Sequence, residues 1–302
     1  MSGIYDEYEP YYSKNTMPQC GLKPILFNKE TREIINKNDI FAYGILMLRK
    51  YSKSFIEKGT IKFGCPYNWI NYAKNHAPGK GDVQEGVFAA YNLTDIEGIK
   101  KGLASNPGSK PIRLVSTKSD LIYLVNESVI RLPTYCFYII RTGDFKIVRY
   151  GGSEYTAFLS IPPRYFRGLA DGKTWLESTK DDYDEQYVFV TIFDHGAFLD
   201  RIGDRLIKIG VSPNEAIGKP IKYINMDIPF PRTVDHPCEL FLKNKQFEDQ
   251  HEGRIVINSS NQRITNYLLQ NTIDIGSLQD ICVLFDQYPA GGLNFFIDLD
   301  DK

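Results

Sequence analysis

The sequence predicts a β-rich α+β fold, with short strands in one or two packed sheets and a few flanking helices. Three observations carry the β-rich part. From residue 111 to 160 the runs "PIRLVS", "LIYLV", "YCFYIIRT", "FKIVRYG" and "YTAFLSI" follow one another, each β-branched and aromatic, separated by Gly, Asp, Asn or Pro. Repeated short strands of that kind predict a meander or a packed pair of sheets. Further on, "DHGAFLDRIGDRLIKIG" places Phe198, Leu199, Ile202, Leu206 and Ile209 at helical spacing, with Asp194 as N-cap and Gly210 as stop. Finally, aromatic residues form 13% of the chain, 20 Tyr and 18 Phe among them, so rings build much of the core.

In chain order, residues 1–38 carry Pro10, Pro18 and Pro24 among many Tyr and Asn and read as an irregular arm. Residues 39–302 read as a single α+β domain. "NDIFAYGILMLRKYS" gives a buried strand that ends at Arg49 and Lys50, where the apolar run stops. "SFIEKGTIKFGCPYN" gives a short helical turn, a stop at Gly59, a strand at Thr60 to Phe63 and a loop begun by Cys65-Pro66. His76 to Gly86, "HAPGKGDVQEG", reads as a loop, and residues 176–186, "LESTKDDYDEQ", as an acidic solvated connector. "YVFVTIF" is a strand, 219–237 a Pro-rich crossing, and "CELFLKNKQF" a helix. Turns and strands alternate to the end through "IDIGSLQDICVLFD" and "LNFFIDLD". There is no internal repeat.

The totals exclude several function classes. With 36 basic against 37 acidic residues the net charge is -1, so no overall positive field draws in a nucleic-acid backbone; a local basic groove stays open. Cys20, Cys65, Cys136, Cys238 and Cys282 are odd in number, scattered and without a C-x-x-C pair. That predicts reduced, mostly buried thiols in a cytoplasmic protein and no metal site. The N-terminal "MSGIYDEYEPYYSKN" lacks the basic start and apolar core of a secretory signal, and no apolar run approaches the length needed to cross a bilayer; no membrane partner is expected.

The stretch "FEDQHEGRIVI", Phe247 to Ile257, carries the densest chemistry. Read as one strand, it projects Gln250, Glu252 and Arg254 to a single face, since alternate residues share a side, and Gly253 leaves space on the other. An exposed edge with surface ion pairs worth about 0–1 kcal/mol is the plain alternative.

The motifs together resemble a large bacterial family of domains of unknown function, some of whose members lie beside phage-resistance genes. Its pattern is a strand ending in Lys/His-Tyr-Thr/Arg, a loop with Asp and Glu-Gly, and an aromatic residue followed by Glu-x-Glu-x-Arg. Here Lys50, Tyr51 and Ser52 stand in the first motif, Asp82, Glu85 and Gly86 in the second, and Phe247, Gln250, Glu252 and Arg254 in the third. The likeness runs from about residue 45 to 285, and Gln250 stands where the family usually has Glu. In outline the pattern is also similar to ADP-ribosyltransferases. That similarity implies that an early basic residue holds NAD as substrate and that an aromatic residue stacks on nicotinamide. It also implies that Glu252 stabilises an oxocarbenium-like transition state while Gln250 orients the acceptor.

Arg49 and Lys50 are alternatives for the NAD-holding cation: adjacent strand residues face opposite ways, an arginine would bind pyrophosphate bidentately, and a lysine would act as a point charge. Tyr51, Ser52, Tyr155 and Arg254 complete the NAD-binding candidates, with Phe158 an alternative ring to Tyr155. Asp82 and Glu85 line the same cleft, hold a cation such as Mg²⁺, or sit in a solvated turn. Three functions are weighed. One is an enzyme that transfers ADP-ribose from NAD to a macromolecule or to water, as a phage-defence toxin or effector. Another is a non-catalytic sensor of a phage component, presenting tyrosines as a contact surface. The last is a metal-dependent nuclease using Asp82, Glu85, Glu252 and Lys50.

Overall fold

The structure is a computed structural model of the chain, and it describes residues 24–75, 82–104, 112–116, 120–161, 187–232, 234–285 and 293–299. Most of the N-terminal arm, residues 76–81 of the glycine-rich loop and the acidic connector at 176–186 lie outside those residues.

The elements in chain order are β1 (Ile40–Leu48), α1 (Arg49–Lys58), β2 (Thr60–Lys62), α2 (Pro66–Asn75), β3 (Val87–Asn92), α3 (Ile96–Ala104), β4 (Ile112–Ser116) and β5 (Leu121–Asn126). There follow β6 (Thr134–Arg141), β7 (Lys146–Tyr150), β8 (Ser153–Ile161), β9 (Tyr187–Ile192), α4 (His195–Ile209), β10 (Ala216–Pro220) and β11 (Lys222–Ile224). The chain continues with β12 (Leu242–Asn244), β13 (Glu252–Ile257), α5 (Gln262–Gln270), β14 (Thr272–Asp274), β15 (Cys282–Phe285) and β16 (Leu293–Asp298). The protein is thus β-rich with few helices, and its strands form several small sheets rather than one or two. No helix among the described residues is long and apolar enough to cross a membrane.

The chain divides into two compact units, each assembled from separated stretches. Unit 1 contains residues 1–59, 139–201 and 276–302, and unit 2 residues 60–138 and 202–275. In unit 1, β9 pairs antiparallel with β1 on one side and β15 on the other. A strand covered on both edges and both faces is mostly apolar, and Val188, Val190, Ile192 and the following Phe193 are fully buried, with Thr191 the one buried polar residue of β9. Gly44 of β1 makes room for a neighbour here, since a methyl group in its place would run into the Phe189 ring. A second sheet of unit 1 orders β16, β8 and β7.

Unit 2 holds β13 between β10 and the first five residues of β6, both antiparallel. It also contains a three-stranded antiparallel sheet in the order β3, β5, β4, the pair β14 and β2, and a short parallel pair of β11 and β12. Its core gathers Val87, Tyr123, Ile130, Leu240, Phe241 and Val256.

Local sequence explains most of these elements. Asp194 Oδ1 accepts the Ala197 backbone N–H at 2.9 Å and caps α4, and Gly210 at φ 100° ends it, as the spacing predicts. Gly59, left-handed at φ 63°, stops α1 and donates its N–H to Phe55 O. Three expectations are corrected. Arg49 and Lys50 do not end a strand but open α1. Cys65-Pro66 begins α2 rather than a loop, because proline at the first helical position loses no hydrogen bond there. The expected helix "CELFLKNKQF" is instead a 3₁₀ turn at Cys238–Phe241, the strand β12, and a second 3₁₀ turn at Lys245–Gln250.

Candidate active site

The site lies within unit 2, where three short stretches bring five ionisable side chains together. The first is the turn 82–86. Asp82 Oδ1 accepts the Gln84 N–H at 2.8 Å, folding the chain back on itself, and Gly86 at φ 71° completes the turn in a conformation that a side chain resists. A Cβ at Gly86 would also run into Ile130. Glu85 is thereby directed inward and is 1% exposed.

The second stretch is β12, which pairs with β11 and buries Lys243 and Asn244. Asn244 Oδ1 accepts the Gln246 N–H at 3.2 Å and starts the following 3₁₀ turn, while its Nδ2 donates to Gln84 Oε1 at 2.8 Å. Gln84 Nε2 in turn donates to the Tyr123 hydroxyl, which donates to Met226 O.

The third stretch is β13. Its first residue follows His251, which takes a left-handed conformation at φ 40° and stacks on Tyr138 with ring centroids 5.3 Å apart. This break corrects the reading of 247–257 as one strand. Gln250 ends the 3₁₀ turn and shares no strand face with Glu252. Glu252 and Arg254 do share a face, and that face is interior: β13 is a central strand, and Arg254 is wholly buried.

Arg254 organises the cluster. Its two terminal nitrogens donate to both oxygens of Glu85 at 2.7 and 2.8 Å, one of them also reaches Leu240 O at 2.7 Å, and Nε donates to Glu252 Oε1. Its guanidinium lies 5.4 Å from the centre of the Trp69 ring. Lys243 Nζ donates to Glu252 Oε2 at 2.8 Å and lies 3.4 Å from Glu85 Oε1. Each of the two carboxylates thus meets both cations, the arrangement a low-dielectric interior requires if charges are to stay. The Glu252 backbone N–H donates to the Tyr223 hydroxyl at 2.9 Å.

The electrostatic consequences differ sharply between the carboxyl groups. Burial opposes ionisation of Glu252, but Arg254 and Lys243 outweigh it and hold its carboxyl well below the usual range. Burial likewise pulls Lys243 down, and Glu252 with Glu85 more than reverses it, so the ammonium stays charged. Asp82 is pushed the other way. Burial and the neighbouring Glu85 raise its carboxyl to about 6, with Lys243 opposing. Its Oδ2 is buried and has no hydrogen-bond partner among the described residues. Three carboxyl groups face two cations, so Asp82 carries the surplus negative charge when ionised.

The remaining sequence candidates belong to unit 1. Lys50 lies over the exposed Tyr51 ring at 5.3 Å, and the Ser52 hydroxyl donates to Arg49 O at 2.7 Å, so this stretch is the first turn of a helix. Tyr155 on β8 packs against Phe27 at 5.0 Å, with Lys29 Nζ 5.6 Å from its ring centre. Asp82 and Glu85 are buried, so the solvated turn is excluded. Glu85 and Glu252 give their oxygens to Arg254 and Lys243. Lys243 is the site residue that sequence reasoning missed; a lone lysine in "LFLKN" gives no local sign of two carboxylate partners. No family model matches the chain, and neither a curated protein nor a solved structure matches it.

Proposed function

We propose that the chain cleaves the nicotinamide–ribosyl bond of NAD and passes ADP-ribose to a macromolecule or to water. Glu252 is then the fixed anion and Asp82 the proton-handling carboxyl. The observation that carries this reading is the opposed ionisation of those two groups within one cluster: Glu252 is held charged while Asp82 sits at about 6. Glycosidic cleavage calls for such a pair. A permanent carboxylate offsets the positive charge that develops on the sugar, and a second group takes a proton from the acceptor as it attacks.

Nicotinamide leaves as a neutral base and needs no proton, so the second role falls to the ionised form of Asp82. Glu252 has both oxygens engaged, and a ribose hydroxyl reaches it only by replacing the Lys243 bond to Oε2. The order of the sequence motifs, with Gln250-x-Glu252 late in the chain, supports the same chemistry, an ADP-ribosyltransferase-like fold and an effector role in phage defence.

Incubation of the pure protein with NAD tests the proposal. Nicotinamide release is expected to rise with pH through about 6. Glu252→Gln is expected to lower it by about 10²–10³-fold, and Asp82→Asn to remove the pH limb. No release with water, protein or nucleic acid as acceptor sinks the proposal.

A second reading, a non-catalytic interaction protein, is favoured by four exposed apolar side chains on the α3 side of unit 2: Leu93, Ile96, Leu103 and Leu114. Under that reading, Ile96→Glu with Leu114→Glu abolishes partner binding while Glu252→Gln leaves it intact.

A further inference from the structure

Outside the charge cluster, a nucleophilic pair spans two elements of unit 2. Lys219 stands on β10, which pairs with β13 at Lys219↔Arg254, and Cys238 opens the 3₁₀ turn at Cys238–Phe241. Lys219 Nζ lies 3.5 Å from Cys238 Sγ and 5.9 Å from the centre of the Phe241 ring, so the ring and the sulfur together fix where the amine rests. The Cys238 turn is itself held in place. The Leu240 N–H donates to Pro237 O at 3.0 Å, and the neighbouring Glu239 is wholly buried and bonded to His236. Lys219 is exposed and Cys238 only half-buried, unlike Cys65 and Cys282, which are buried; a small oxidant in solution reaches the pair.

We propose that Lys219 and Cys238 form a redox modification site, in which a peroxide joins the two side chains through a sulfur–nitrogen bond. In the first step the Cys238 sulfur attacks the O–O bond of hydrogen peroxide. One oxygen is transferred to Sγ, the other leaves as water, and the sulfur is oxidised by two electrons to a sulfenic acid while the peroxide is reduced. In the second step the unprotonated Lys219 amine attacks Sγ, the S–OH bond breaks, and the hydroxide leaves as a second water with a proton from Nζ. One thiol, one amine and one peroxide thus yield one S–N bond and two waters. Sulfenic acids condense with nearby nitrogen or sulfur nucleophiles in this way, and a thiol reduces the product back to cysteine and lysine.

The site matters because β10 is held on one side by β13, the strand that carries Glu252 and Arg254, and the bond ties it to the turn preceding β12, the strand of Lys243. Oxidation therefore clamps the segments that frame the charge cluster, whatever reaction that cluster performs.

The experiment is peptide mass mapping of the full chain after one equivalent of hydrogen peroxide. The expected product is a linked pair of peptides containing Lys219 and Cys238, two hydrogens lighter than their sum and separated again by dithiothreitol. Lys219→Arg keeps the positive charge but removes the reactive amine. In that variant the link is expected to vanish and Cys238 to be trapped as its sulfenic acid by dimedone. Three outcomes overturn the proposal: Cys238 stays a free thiol, it proceeds to sulfinic acid in the wild type with Lys219 unlinked, or the link is absent while Lys219→Arg behaves as wild type. Folding of each variant is checked by its far-ultraviolet circular dichroism, and Cys238→Ser serves as a second variant with the sulfur removed.

Discussion

Strands β9 and β13 have the same length, each is central to its pairing, and β13 is buried from end to end and β9 from its second residue on, yet they fill their interiors with different chemistry. β9 buries valine, isoleucine and phenylalanine with a single uncharged polar residue, Thr191, so its neighbours supply mainly shape. β13 buries Glu252 and Arg254, and these need partners of the right charge at the right distance, supplied by the turn 82–86 and by β12. The contrast shows where unit 2 departs from what stability alone would select. A buried ion cluster is no more stabilising than well-packed apolar residues of the same volume, and it is far less forgiving of a missing member.

The largest test of that contrast removes the central cation. Arg254→Met leaves Glu85 and Glu252 with Lys243 alone, and it is expected to lower stability by about 3–5 kcal/mol in urea denaturation. Ile192→Val, at a fully buried position of β9, is expected to cost only about 1 kcal/mol. Equal losses at the two positions would erase the distinction between the strands.

A pH experiment sharpens it further. The ordinary value for the Asp82 carboxyl is 3.8 and the folded protein raises it to about 6. Between those values the native state keeps a proton that the unfolded chain has released. Its contribution to stability is therefore greatest at the acid end of that window and is lost as pH rises through about 6. The difference amounts to on the order of 3 kcal/mol. Asp82→Asn is expected to flatten the denaturation midpoint between about pH 4 and 6. Glu252 acts oppositely: its depressed carboxyl stabilises above its unfolded value, and that support is lost on strong acidification. Gly86→Ala forces a left-handed residue against Ile130 and is expected to cost about 1–3 kcal/mol, measured by thermal unfolding.

Much of the fold is legible in the residues themselves. The runs between 111 and 160 become strands because β-branched and aromatic side chains fill a pleated surface, and Asp194 caps α4 because its side-chain oxygen reaches a free N–H of the first turn. The site is legible only in part. Alternation puts Glu252 and Arg254 on one face, as it must within any strand, but it says nothing about whether that face meets water. Their burial is decided by Glu85, 169 residues from Arg254, and no local pattern encodes that meeting. Gln250 drops out because His251 adopts a positive φ, which a histidine rarely does and which its neighbours do not announce. Lys243 is hidden for a related reason: a single cation in an apolar run looks like a surface residue until its counter-ions are known.

That same long separation sets an order of events during synthesis. Glu85 leaves the ribosome long before Arg254 and Lys243, so a growing chain carries an acid destined for the interior with neither counter-ion yet made. Unit 2 can lock only after the segment through residue 254 has emerged, which makes its completion a late, long-range closure rather than a stepwise accretion from the N-terminal side.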